Sequence, residues 1–172
     1  MFAAALVTIA VLNPAAVSQP VLHRAEQAIE QQANTSLQRA WNTPRVRFTA
    51  DPAATITITF ASNAHTAVAC DEQVVGCHWV TNNYGIEVET DADPKTLTSN
   101  LDHEIIETLV DPDTTGREIC DPVEYNTYER DGIELSDFVL PAYYDTLSFG
   151  HLDQMGTAVR HPTAYGHRMG AF

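Results

Sequence analysis

The run Asp102-His103-Glu104-Ile105-Ile106-Glu107 sets an imidazole and a carboxylate one helical turn apart, with a second carboxylate between them. It differs by one residue from His-Glu-x-x-His, in which two side chains one turn apart grip zinc and the intervening Glu polarises a water. A carboxylate can replace imidazole in a zinc shell, so His103 and Glu107 are candidate ligands and Glu104 a candidate general base. At about 100° per residue, placing His103 at zero sets Glu107 at about 40°, Asp111 at about 80° and Glu104 at about 100°. The four ionisable groups share one arc, and Leu101, Ile105, Ile106, Leu109 and Val110 dominate the rest of the circumference. An ordinary polar face mixes charge signs, because like charges one turn apart repel. Here no Lys or Arg lies within a turn. Groups crowded in this way must protonate, face bulk water as a solvated helix face, or bind a cation.

Further donors follow downstream. Asp111 and Asp113 lie within ten residues of His103, and Glu118, Asp121 and Glu124 recur at intervals of three. A four-coordinate site needs only one or two of these, and the others can orient His103 or a peptide N–H. The donor set suits zinc, while its many oxygens leave calcium open, since calcium takes about six to eight of them.

This neighbourhood accounts for much of an unusual charge. The chain has 172 residues with 23 Asp and Glu against 9 Lys and Arg, a formal net charge of −14. Such a field repels phosphate backbones and anionic headgroups, which argues against nucleic acid as a partner. Most of the acid lies between Ile86 and Asp145, whereas the first 85 residues are near neutral. The length allows one hydrophobic core. The apolar run Phe2 to Leu12 falls far short of the roughly 20 residues a membrane helix needs. No Lys or Arg precedes it, so it reads as a buried strand and not as an export signal. Three cysteines are too few for a disulfide framework. A Cys70–Cys77 bridge across a turn at Val75-Gly76 is one expectation, and a zinc site of Cys70, Cys77 and His78 a weaker one.

The elements that must position these groups are legible from period and punctuation. Ser18 and Pro20 read as a helix start, and Leu22, Ala25, Ile29, Ala33, Leu37 and Trp41 continue as a helical stripe until Asn42-Thr43-Pro44. Val46 and Phe48 mark a short strand, Thr55 to Phe60 a faultless alternation, and Gly85 to Glu89 another strand. Asp93-Pro94 predicts a cap and first turn, Leu97 to Val110 a mostly buried helix, and Pro112 its end. The rest reads as irregular, with a short strand around Ile133 to Val139. Tyr143 and Tyr144 are read as core packing, with a cleft lining as the alternative. The order predicts an α+β fold, a mixed β-sheet carrying a long N-terminal helix and a buried metal-site helix. The expected organisation is one domain over residues 1–160 and a tail over 161–172.

Three blocks of this chain, taken in order, resemble a family of small metallopeptidase-like proteins of bacteria and tailed phages. They are Asp102 to Pro112, Glu118-Ile119-Cys120-Asp121-Pro122-Val123-Glu124, and Leu135-Ser136-Asp137-Phe138-Val139-Leu140-Pro141. The resemblance implies a zincin-like domain in which His103 and Glu107 ligate the metal and Glu104 is the catalytic base. It also implies Glu118, Asp121 and Glu124 as further ligands or supports. The chain departs from that pattern in its short loop from Pro112 to Glu118 and in Tyr143-Tyr144, where a Trp-Phe pair is usual. Two functions are therefore expected. One is a zinc-dependent peptidase or amidase acting on a peptide or protein substrate aligned along an edge strand such as Ile86 to Glu89. The other is a non-enzymatic head, neck or tail component contacting other virion proteins, its metal only stapling the fold. Both place the chain in the virion or the host cytoplasm.

Overall fold

Alternation at Thr55 to Phe60 builds the centre of one sheet. In the computed structural model, which describes residues 6–62, 75–81, 83–90, 93–145, 151–156 and 158–159, that sheet has five strands. They are β1 (Val7–Val11), β2 (Val46–Phe48), β3 (Ile56–Ala61), β4 (Gly76–Val80) and β5 (Tyr84–Glu89), in the order β2-β1-β3-β5-β4. The first four run parallel and β4 is antiparallel to β5. Residues 1–5, most of the segment bearing Cys70, and the expected tail 161–172 lie outside the described residues.

Register decides which side chains meet. Val7 pairs with Val46, Ile9 with Ile56, and Ile58 with Ile86. Because side chains alternate along a strand, one face presents Val7, Ile9, Val46, Ile56, Ile58, Phe60, Ile86 and Val88 to a single core. Two helices complete that core. The first, α1 (Gln19–Gln32), continues through a π-helical turn, Ala33–Leu37, into α2 (Gln38–Trp41). It buries Leu22, Ala25, Ile29, Ala33 and Leu37 of the expected stripe. Ser18 precedes it but makes no side-chain cap bond. The π turn follows from Thr35 and Ser36, whose hydroxyls donate back to the Gln31 and Gln32 carbonyls and compete with the helix ladder. It also aims Asn34 at β2, where Asn34 donates to the Val46 carbonyl at 2.9 Å and accepts from the Val46 N–H at 2.8 Å. Glu30 accepts from the Phe48 N–H beside it.

The second helix is α3 (Pro94–Val110). Asp93 caps it, accepting from the N–H groups of Lys95 and Thr96, and Pro94 occupies the first turn. Leu97, Leu101, Ile105, Ile106 and Leu109 are buried, and so are Asp102, Glu104 and Glu107. Beyond it, β6 (Thr127–Arg130) and β7 (Ile133–Ser136) form a hairpin over Asp131-Gly132, both at positive φ. A short helix, α4 (Ala142–Asp145), and a two-stranded ribbon of β8 (His151–Leu152) and β9 (Ala158–Val159) follow. The α+β class and the mixed sheet are as expected, while the C-terminal part is less irregular than the sequence implied. Among the described residues no helix is long and apolar enough to cross a membrane.

Three expectations change at the sheet's edge. Gly76 opens β4 and Val75 accepts from the Glu89 N–H, so Val75-Gly76 is extended and not a turn. Cys77 is disulfide-bonded, with Cys70 outside the described residues. Cys77 and His78 are also strand neighbours that point to opposite faces, which removes the zinc site proposed from Cys70, Cys77 and His78. Finally, Ile86 to Glu89 belongs to β5, which lies between β3 and β4, so among the described residues the edge strand on this side is β4. Opposite Trp79, Gly85 leaves room for the indole, and a Cβ there would sit 2.3 Å from the ring. Gly85→Ala should cost about 1–3 kcal/mol by overpacking, read as a lower urea midpoint with altered tryptophan fluorescence.

Candidate metal centre

The antiparallel register puts His78 opposite Ile86, on the face that α3 covers. Gly76 shares that face, and with no side chain it lets Glu104 pack beneath it: a Cβ there would be 2.9 Å from Glu104 Oε1. His78 Nδ1 consequently lies 3.0 Å from Glu104 Oε2. One arc further round α3, His103 Nε2 lies 3.2 Å from Glu107 Oε2 and 3.3 Å from Asp121 Oδ1. The helix wheel places Glu107 between His103 and Glu104, and the structure uses it in that way.

The chain after α3 folds back to complete the cluster. Asp111 accepts from the Thr115 hydroxyl and the Arg117 N–H, closing a tight loop in which Thr114 and Gly116 have positive φ. This turns Glu118 to Asp121 onto the helix. The N–H groups of Cys120 and Asp121 donate to Glu107 Oε1 at 2.8 and 3.3 Å, fixing a carboxylate only 4% exposed. Tyr143 packs in the core, as expected, and the Tyr144 hydroxyl donates to the Glu118 carbonyl at 2.6 Å.

Two sets of donors result, each with its ligand atoms within 4.8 Å of one another: His103, Glu107 and Asp121, and His78, Glu107 and Glu118. Of the residues singled out in the sequence, His103, Glu107, Glu118 and Asp121 are thus brought together, and Glu104 adjoins them. Glu124 is exposed and stands in neither set; Asp111 serves the loop, and Asp113 is exposed. His78 was expected only as a partner of Cys70 and Cys77, and its place in this cluster was missed. Its signal was weak, a lone histidine on a strand far upstream.

The electrostatics are those of anions crowded in a dry place. Burial raises the Glu104 pKa despite its bond to His78. Burial and the Glu107 charge push Glu118 up to about 8. Burial would also raise Glu107, but the His103 charge, with hydrogen bonds from His103, Glu118 and the Cys120 amide, holds it at about 2. The imidazoles respond in the opposite sense. Burial disfavours a charged His78, yet its bond to Glu104 and the charges of Glu104, Glu118 and Glu107 lift it to about 9. Burial likewise opposes the His103 charge, but Glu107 and Asp121 carry its pKa well above the ordinary value. Protons thus do what a cation would otherwise do. Burial pushes the Cys120 thiol well up, which makes it a poor nucleophile.

The residues fit a metal ion on two grounds. The two short His103 separations match the roughly 3.3 Å between neighbouring ligands on a tetrahedral ion with bonds of about 2.0–2.1 Å. In addition, His78 Nε2 and Glu118 Oε2 are buried and have no hydrogen-bond partner. Comparison of the chain with family models, with curated proteins and with solved structures found no match. The fold and the cluster define a class by themselves: an α+β chain with a histidine–carboxylate cluster between its second long helix and the edge of its sheet.

Proposed function

We propose that the chain is a metal-dependent hydrolase of peptide or related amide bonds, zincin-like in arrangement, with His103, Glu107 and Asp121 holding zinc. The observation that carries this reading is the convergence of those three donors beside Glu104. When bound, the cation would supply Lewis-acid polarisation of a water and of the scissile carbonyl. Glu104 takes the proton from the attacking water as the carbon–oxygen bond forms, then returns it to the amine nitrogen as the carbon–nitrogen bond breaks. Burial raises its pKa, which makes the carboxylate a stronger base. The ring of His78, at 3.0 Å, holds the Glu104 carboxylate in place. Strand β4, the sheet's edge among the described residues, offers its backbone to an extended substrate.

One observation favours the second reading, a structural virion component: Glu104 is buried and already engaged by His78. In that case the cation ties α3 to the loop carrying Asp121. Both readings require the ion. Elemental analysis after dialysis should find it bound, and His103→Ala should lose it. A metal-free wild type, or an unchanged content in His103→Ala, would overturn the site.

A further inference from the structure

The geometry points to a centre built for two cations, with Glu107 shared between them and the second position formed by His78 Nε2, Glu118 and Glu107. This inference rests on the reading of His103, Glu107 and Asp121 as the first position, and extends it.

The observation pointing to a ligand at the second position is His78 itself. Its side chain is only 7% exposed, yet it uses one nitrogen and leaves the other idle. With Nδ1 donating to Glu104 Oε2 at 3.0 Å, Nε2 is the position a metal would take in place of the proton that the metal-free ring carries there. A histidine that binds a metal typically has its other ring N–H held by a carboxylate in this manner. Nε2 faces Glu118 Oε2 across 4.0 Å, too far for a hydrogen bond, and that oxygen is buried and without a hydrogen-bond partner as well. Two buried polar atoms facing one another over a gap that no hydrogen bond spans leave a position for a cation held by both.

Glu107 supplies the link between the positions. It belongs to both donor sets, and the Cys120 and Asp121 amides pin it so that it cannot turn toward one and leave the other. Carboxylates commonly bridge paired ions about 3.5–4 Å apart in hydrolytic centres, where one ion serves the attacking oxygen and the other the carbonyl or leaving group. The Tyr144 hydroxyl, donating to the Glu118 backbone carbonyl, fixes the main chain from which that side chain projects. In this arrangement Glu104 has one oxygen committed to His78, so it orients a ligand of the second ion while adjoining the first.

Metal content after titration with zinc or manganese and dialysis separates the alternatives. Wild type should hold two ions per chain, and both His103→Ala and Glu118→Gln should hold one. Glu118 is partly exposed, so this isosteric change preserves the fold, which circular dichroism checks. In the manganese-loaded wild type, electron paramagnetic resonance should detect an exchange-coupled pair that either substitution converts to an isolated ion. One ion in wild type, lost in His103→Ala and kept in Glu118→Gln, would overturn the second position and leave the first standing, with water filling the gap. One ion lost only in Glu118→Gln would overturn both the pair and the first position. No ion at all would overturn the whole centre.

Discussion

Glu104→Gln should slow peptide hydrolysis by about 100- to 10,000-fold, the usual worth of a positioned acid–base group, while the bound metal stays near the wild-type level. The amide matches the carboxylate in shape, so it can still accept from His78 Nδ1 and lie beneath Gly76. What it loses is the ability to take a proton from water. A peptide library assayed with wild type and variant gives the measurement. Cleavage that survives the substitution would remove Glu104 from the mechanism. If wild type cleaves nothing and the variant folds and assembles normally, the virion-component reading stands instead.

Glu107→Ala should have the largest effect on stability. It deletes a carboxylate that pairs with His103 and accepts two backbone N–H groups, and breaking a buried pair from one side costs about 3–5 kcal/mol. The pH dependence follows from the direction of each shift. Glu107 is held at about 2 against an ordinary glutamate value of 4.5, so its contribution is fully present above pH 4.5 and disappears as pH falls through 2. His103 is shifted upward, so its contribution is fully present below the ordinary histidine value of 6.5 and disappears as pH rises through its folded value. Metal-free wild type should therefore weaken both below pH 4.5 and on the alkaline side. Glu107→Ala should flatten both limbs, which urea unfolding across pH 3–9 in chelator would measure. Equal slopes in the two proteins would mean that the pair does not stabilise the fold.

The central strands and α3 were legible because their patterns are complete. Ile56, Ile58 and Phe60 alternate strictly, and Asp93-Pro94 states where the helix starts. Strand β4 was not legible, because its core face carries Gly76, His78 and Val80, and its other face Cys77 and Trp79. Those residues give no apolar alternation, and a strand with one neighbour needs little. The β6–β7 turn had a signal in Asp131-Gly132, but Thr127 to Arg130 is too polar to read as a strand. Within the site, His103, Glu104 and Glu107 follow from helical period alone. The division of Glu118 and Asp121 between two donor sets depends on how the Asp111 loop folds back, and His78 reaches them only through the register of β4 against β5. Periodicity sees one element at a time, and this centre is assembled from three.

The two margins of the sheet differ in what they can accept. Along β2 the outward backbone groups of Val46 and Phe48 are taken by Asn34 and Glu30, so that margin is sealed by side chains of the first helix. Among the described residues of this sheet, strand pairing is then open at β4. Two copies joined there would turn the sealed β2 margins of this sheet outward, so pairing through it would stop at two copies instead of running on into a filament.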